Sequence, residues 1–229
     1  MSEWWTYELS DFLLFSPQTY YRLFEIYNLA IWPAHVLAIG LGLIILAAWL
    51  YGRMRHGRIV PAILAACWLW VAWAYFLQRY ESINWAATYY AMGFAIEALL
   101  LIWVGFVRKR LVLRPATDAT SRCGLALFCF ALVVVPLIGP LLGRGWTQAE
   151  VFAVAPDPTA LATLGVLLAA DRPAWILYGF PLVWCAISGA TLWTMRSPDA
   201  LLLPAAAIFA ALAVWKSRAR LGDHMKTNR

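Results

Sequence analysis

Charge is what this sequence has little of. Asp, Glu, Lys and Arg make up 13% of its 229 residues, against about a quarter in soluble domains, while 63% are hydrophobic and the mean hydropathy is +0.70. So few charged side chains cannot cover a water-soluble domain of this size, and the composition is that of an integral membrane protein. Long polar stretches are missing as well. Five long apolar runs and two short or polar-flanked ones consume nearly all the residues, which leaves no room for a soluble catalytic domain between them.

Reactive motifs are absent too. The sequence has no HExxH, no G-x-S-x-G, no P-loop and no G-x-G-x-x-G, and no pair of intramembrane aspartates for general acid and base work. No catalytic residue is assigned, and an enzyme is the weakest functional class. The four cysteines, Cys67, Cys123, Cys129 and Cys185, lack the short paired spacing of a zinc site and read as small buried hydrophobes; metal and cofactor are left unassigned. The N-terminus, MSEWWTYELSDF, is acidic and aromatic where a cleavable signal peptide is basic and then apolar, so the first span is expected to act as the insertion signal. The net charge of +6 sits in loops and tails, where it sets orientation, and no nucleic-acid partner is expected.

What is present predicts an all-α polytopic bundle of about seven transmembrane spans. Residues 1–27 form an aromatic and acidic segment at the bilayer interface, with a helix opened by Ser16-Pro17 that lies in the interface plane or folds over the bundle mouth. The bundle occupies residues 28–216, and 217–229 form a basic cytoplasmic tail. Spans are expected at 28–51, 59–77, 83–107, 124–142, 157–170, 175–195 and 201–215. Pro136 and Pro140 should bend the fourth. The fifth is the awkward one: with Asp157 as N-cap and Pro158 as first residue, its 13 or so helical residues reach only about 20 Å, too short for a roughly 30 Å hydrocarbon core. A short surface helix with an ordinary cap is the competing interpretation.

Counting basic residues favours a crossing. Without it, the 18 Lys and Arg divide evenly between the two faces. With it, fourteen fall on one face and four, Arg22, Arg79, Arg144 and Arg196, on the other. Since Lys and Arg in short loops mark the cytoplasmic side, the N-terminus is expected outside and the C-terminus inside.

Glu97 lies near the middle of the third span, where a charged residue costs about 2.5–3.5 kcal/mol. With Gly93 four residues before it and Tyr90 seven before, a hydroxyl, a gap and an acid share one helical stripe. This points to a proton or cation site; a glutamate that merely ties helices together is the alternative. His35 is the one histidine inside an apolar run, and Asn28, Trp32 and His35 share a face if the first span is one helix. A helix beginning inside the membrane at Asp157 would aim its unpaired N–H groups and dipole inward, as broken-helix transporters do, although the aspartate itself weakens an anion site there. Among fourteen tryptophans, Trp32, Trp70 and Trp73 are candidates for an aromatic pocket, with ordinary packing as the commoner explanation. Cys185, Ser188 and Gly189 supply small residues for close helix approach.

The segments WTYELSDFLLFSPQTYYRLFEIYN, QRYESINWAATYY, APDPTALATLGVLL and SGATLWTM resemble a bacterial multi-pass membrane family known as a domain of unknown function, some of whose members carry a transporter-permease label. The resemblance covers most of the chain and implies a bacterial inner-membrane location, without a mechanism. The expected function is binding or transport of a small solute or ion, in one form coupled to protons, through a polar interior built on Glu97, His35, Tyr90, Asn28 and Asp157. The alternative is a non-catalytic subunit of a larger membrane complex. The partners expected are the lipid bilayer and either further membrane subunits or copies of the same chain.

Overall fold

The computed structural model describes residues 15–51, 57–171 and 174–227, with side chains up to Trp215. Trp4, Trp5 and the rest of residues 1–14, the turn around Arg53 and Arg55, Arg172 and the side chains of the basic tail lie outside the described residues. The described residues form eight helices and no strand: α1 (Pro17–Ala30), α2 (Ala34–Tyr51), α3 (Ile59–Ser82), α4 (Ala87–Val107), α5 (Ala119–Leu141), α6 (Pro156–Ala169), α7 (Ile176–Thr194) and α8 (Leu202–Thr227). Five of them, α2, α3, α4, α5 and α7, are long and apolar enough to cross a membrane, and the described side chains of α8 form a shorter apolar stretch, Leu202–Trp215.

The bundle is organised around α6, a helix of only fourteen residues. All fourteen of its residues are buried, by α5, α7, α8 and α3. Apolar residues all round its circumference make burial on every side favourable, and its two interior threonines return their hydroxyls to their own helix, Thr159 to the Ala155 carbonyl (2.7 Å) and Thr163 to the Thr159 carbonyl (2.8 Å). The helix is therefore not on the surface. Glycines let it reach the centre: a Cβ on Gly124 of α5 would lie 2.5 Å from the Gly165 carbonyl oxygen of α6, so the two backbones are in direct contact. Its shortness is met from both ends. At one end the 142–155 loop dips inward, with the Ala153 N–H on the Thr159 hydroxyl (3.0 Å). At the other, the 108–118 loop does the same, the Arg114 and Asp171 N–H groups donating to the Ala169 and Val112 carbonyls at 2.9 and 2.8 Å.

Helix α1 starts where the sequence indicates: Ser16 caps it, its hydroxyl accepting from the Thr19 N–H at 3.2 Å. It then packs along the bundle, burying Tyr20, Leu23, Phe24, Tyr27 and Asn28 at helical spacing, with the rings of Tyr20, Phe24 and Tyr27 against Tyr75 and Tyr80 of α3. The expected continuous first span does not exist. Helix α1 ends at Ala30 and α2 begins at Ala34, because Pro33 has no N–H and keeps Trp32 out of helical conformation. Helix α5 starts at Ala119, earlier than expected, since Asp118 caps it, and Phe130–Val134 ahead of Pro136 is wound as π-helix. The second halves of α3 (Val71–Leu77) and α4 (Leu101–Val107) are π-helical as well.

Candidate functional site

The N-terminal end of α6 is built to bury an acid. The helix starts at Pro156, two residues before the expected position, and its N-cap is Ala155, whose N–H already donates to the Val151 carbonyl at 2.8 Å. Of the first three helical residues Pro156 and Pro158 have no N–H, so only the Asp157 N–H lacks an intrahelical acceptor. This removes the array of donors an anion site would need. The Asp157 side chain, 2% exposed, is not a cap. It turns toward α7 and accepts from Trp184 Nε1 at 2.8 Å and Ser188 Oγ at 2.7 Å. Those donors are four residues apart and therefore converge on one point.

Around Asp157 the 142–155 loop and the α7–α8 connection bring further charge together. Arg144 pairs with Asp199 in an ion pair whose side chains are 13% and 11% exposed. Ser197 Oγ donates to the same aspartate and also bonds the Tyr21 hydroxyl at 2.8 Å, while the Arg144 guanidinium lies 4.5 Å above the Tyr21 ring. Arg144, Gln148, Glu150, Asp157 and Asp199 line a small, partly open cavity of about 20 Å³, room for one water-sized occupant. Arg144 also lines a larger, open cavity of about 240 Å³ with Tyr21, Met195, Arg196 and Ser197, so its side chain borders both spaces. Burial and the neighbouring Asp157 carboxylate push the Glu150 carboxyl well above the usual carboxylate range, with Arg144 opposing them.

A second site joins residues that the sequence placed on one helix and the structure places on two. His35 Nε2 bonds Asn28 Oδ1 at 3.1 Å across the break between α1 and α2, and Asn28 Nδ2 donates to the Thr147 and Ala149 carbonyls at 2.8 and 2.9 Å. Trp32 stacks on His35, ring centroids 6.1 Å apart, and all three line a groove of about 240 Å³.

Glu97 stands apart from both. It has no exposed surface, neither carboxylate oxygen has a hydrogen-bond partner among the described residues, and it lines none of the three cavities above. The space at Gly93 is filled by the Phe180 ring, which a Cβ there would meet at 2.1 Å. Tyr90 is half-buried among the rings of Phe76, Tyr80 and Trp184. His35 and Glu97 do not meet. Trp70 and Trp73 pack edge to face on the outside of α3, 36% and 55% exposed, with Trp70 Nε1 donating to the Tyr27 hydroxyl at 3.1 Å; they too line none of the three cavities.

The model of a family of unknown function, DUF6064, matches residues 17–224, from the first turn of α1 to the last turns of α8. The chain belongs to the DUF6064 family. Searches of curated proteins and of solved structures find no match. For this DUF6064 chain, function is therefore argued from the geometry.

The sequence singled out Asp157 but not the groups that surround it. Arg144, Glu150, Ser197 and Asp199 sit in loops, and Trp184 and Ser188 on an apolar helix; the four-residue spacing puts the last two on one face, but nothing local shows that the others meet them. One signal was present. Arg144 shares its loop with one acid, Glu150, six residues on, in a chain where any charge outside the tail and the basic loops is unusual. Among the described residues, no three metal-ligating side chains are grouped closely enough to hold an ion between them. What the arrangement can do chemically is take up a proton, or a small monovalent cation, beside a buried carboxylate.

Proposed function

We propose that this chain is an integral membrane protein that binds, and passes, a proton or small monovalent cation at the α6 end cluster, either alone or coupled to a small solute. The observation that carries this is Asp157. A carboxylate buried to 2% exposure, held by two neutral donors and facing a water-sized cavity shared with Glu150, is a built binding position for a positive species. With Arg144 and Asp199 cancelling each other, the residual charge of the cluster is negative, and a buried negative charge draws a proton or a cation. Arg144, which borders both spaces and is held by Asp199, would act as the barrier between the larger cavity and the acid. The functional centre thus moves from Glu97 to Asp157.

We place the chain in a bacterial inner membrane with seven crossings, the N-terminus outside and the C-terminus in the cytoplasm. Support comes from the fourteen-to-four distribution of basic residues and from α6, whose two ends are met by loops from opposite ends of the bundle.

Proteoliposomes with an internal pH dye test the proposal. Wild-type protein should carry proton flux under an imposed gradient, and Asp157→Asn, which keeps the shape and part of the hydrogen bonding, should reduce it at least tenfold. Equal flux from the two would remove Asp157 from the mechanism.

A second interpretation, a non-catalytic subunit of a larger membrane complex or a homo-oligomer, is favoured by α2. It is the least covered of the five long apolar helices, burying only Ala38, Gly42, Ile45 and Trp49. Purification in mild detergent as a monodisperse monomer without companion proteins would count against it.

A further inference from the structure

The end of the bundle opposite the Asp157 cluster carries arginines that no acid among the described residues neutralises. Arg58 precedes α3 there, and Arg108, Lys109 and Arg110 follow α4. Two other arginines at this end are engaged, Arg114 with Asp118 at 3.9 Å and Arg122 with the Thr117 carbonyl at 2.7 Å. The Arg58 and Arg108 side chains are exposed, and neither has an acid within ion-pair distance among the described residues.

Both lie instead over aromatic rings on the outward side of α4. The Arg108 Cζ is 5.0 Å from the Trp103 ring centroid, and the Arg58 Cζ is 5.4 Å from that of Phe106. Trp103 and Phe106 are 52% and 41% exposed and three residues apart, so they share one face at the end of an apolar, membrane-length helix. Two backbone features produce this arrangement. At 3.6 residues per turn, residues five apart point in different directions, but Leu101–Val107 is π-helical. The Arg108 N–H therefore donates to the Trp103 carbonyl at 3.0 Å, and the guanidinium comes to lie over the indole. Gly105 supplies the second feature. A Cβ there would lie 2.3 Å from Pro61 Cβ, so α3 approaches α4 closely enough for Arg58 to reach Phe106.

We propose that this end of α3 and α4 holds the phosphate of an acidic phospholipid between Arg58 and Arg108, with the acyl chains running over Trp103 and Phe106. A guanidinium is a planar fork of five N–H donors, and one lying over a ring keeps its edge free for a phosphate. The rings below continue into the apolar surface of α4, which suits lipid chains and gives a free phosphate nothing to rest on. Lys109 and Arg110 add positive charge beside the pair, which favours an acidic headgroup over one that carries its own ammonium. The site is separate from the Asp157 cluster and does not depend on the function proposed for it.

Native mass spectrometry of the full chain in mild detergent tests this, with phosphatidylglycerol and phosphatidylcholine of the same acyl chains titrated in turn. Phosphatidylglycerol should bind saturably and more tightly than phosphatidylcholine. Arg58→Gln combined with Arg108→Gln should weaken it about thirtyfold, about fivefold for each guanidinium. Lys109→Gln with Arg110→Gln removes the same charge from residues that lie over no ring, and should cost clearly less. An excess of inorganic phosphate should leave the bound lipid in place; its displacement would show a site for free phosphate and overturn the proposal. Equal affinity for the two lipids, or equal losses from the two pairs of substitutions, would overturn it as well. Should the Arg58 and Arg108 variant fail to fold, Trp103→Ala decides, since unchanged phosphatidylglycerol binding there would remove the rings from the site.

Discussion

Glu97 and Glu150 are both acids inside the bundle, yet their situations differ: Glu97 has no partner among the described residues, while Glu150 shares a cavity with Arg144, Asp157 and Asp199. Glu97 is enclosed by α4 and its neighbours with no partner for either oxygen among the described residues, so its polarity contributes nothing to packing. Replacing it with an apolar side chain of similar volume should recover the cost of the unsatisfied groups, about 1–3 kcal/mol. Glu97→Met is therefore expected to raise the thermal midpoint in detergent by several degrees, and a lower midpoint would reveal a partner for the acid. Glu150 lies in the loop beside the cavity, and burial together with Asp157 raises its carboxyl. The folded protein then holds that proton more tightly than the unfolded chain, in which glutamate titrates near 4.3. The stabilisation is complete below that value and is lost as pH rises through the higher folded-state value. Thermal midpoints should fall as pH is raised from about 5, and Glu150→Gln should flatten the decline; parallel profiles for the two proteins would contradict this.

The same substitution has opposite outcomes on different helices, and the glycines show it. Gly→Ala in a helix gains up to about 1 kcal/mol from backbone entropy. At Gly40 of α2 nothing lies within 4 Å of the new methyl, and Gly40→Ala should be neutral or stabilising. At Gly124 the methyl would sit 2.5 Å from the Gly165 carbonyl, a backbone atom that cannot rotate away, and overpacking of about 1–3 kcal/mol should outweigh the gain. Thermal unfolding of Gly40→Ala and Gly124→Ala side by side checks the sign of each. Helix α1 is held to the 142–155 loop by Asn28 and by Tyr27, whose hydroxyl donates to the Val154 carbonyl at 3.1 Å. Asn28→Ala leaves two loop carbonyls without their donor. Trypsin should then cut after Arg144 severalfold faster than in the wild type, as followed by mass spectrometry of the fragments; an unchanged rate would mean the loop is held by other contacts.

For the whole molecule, what matters is which end faces the cytoplasm. If α6 crosses, Pro198 and Thr117 lie on opposite sides of the membrane, next to the sparsely charged and the basic loops respectively. In intact cells a membrane-impermeant maleimide should label Pro198→Cys, and label Thr117→Cys only after permeabilisation. Labelling of both, or the reverse pattern, would undo the orientation and with it the direction of entry to the Asp157 cluster.

The sequence by itself determined that this is an all-α chain with five membrane-length apolar helices, and it marked Asp157, Glu97 and the trio of Asn28, Trp32 and His35 for attention. Composition and periodicity carry that information because the bilayer demands long apolar runs and makes every interior polar group costly. Local rules also gave the Ser16 cap, but not the break at Pro33, which the sequence placed inside a continuous first span. They did not give the position of α6, whose marginal length suits a surface helix as well as a central one. Nor did they show that Arg144, Glu150, Trp184, Ser188 and Asp199 gather around Asp157, while Glu97 is buried with no hydrogen-bond partner among the described residues. Those outcomes depend on which backbones can approach, through contacts such as Gly124 on Gly165, and contacts between residues far apart in the chain leave no trace in the spacing of either segment.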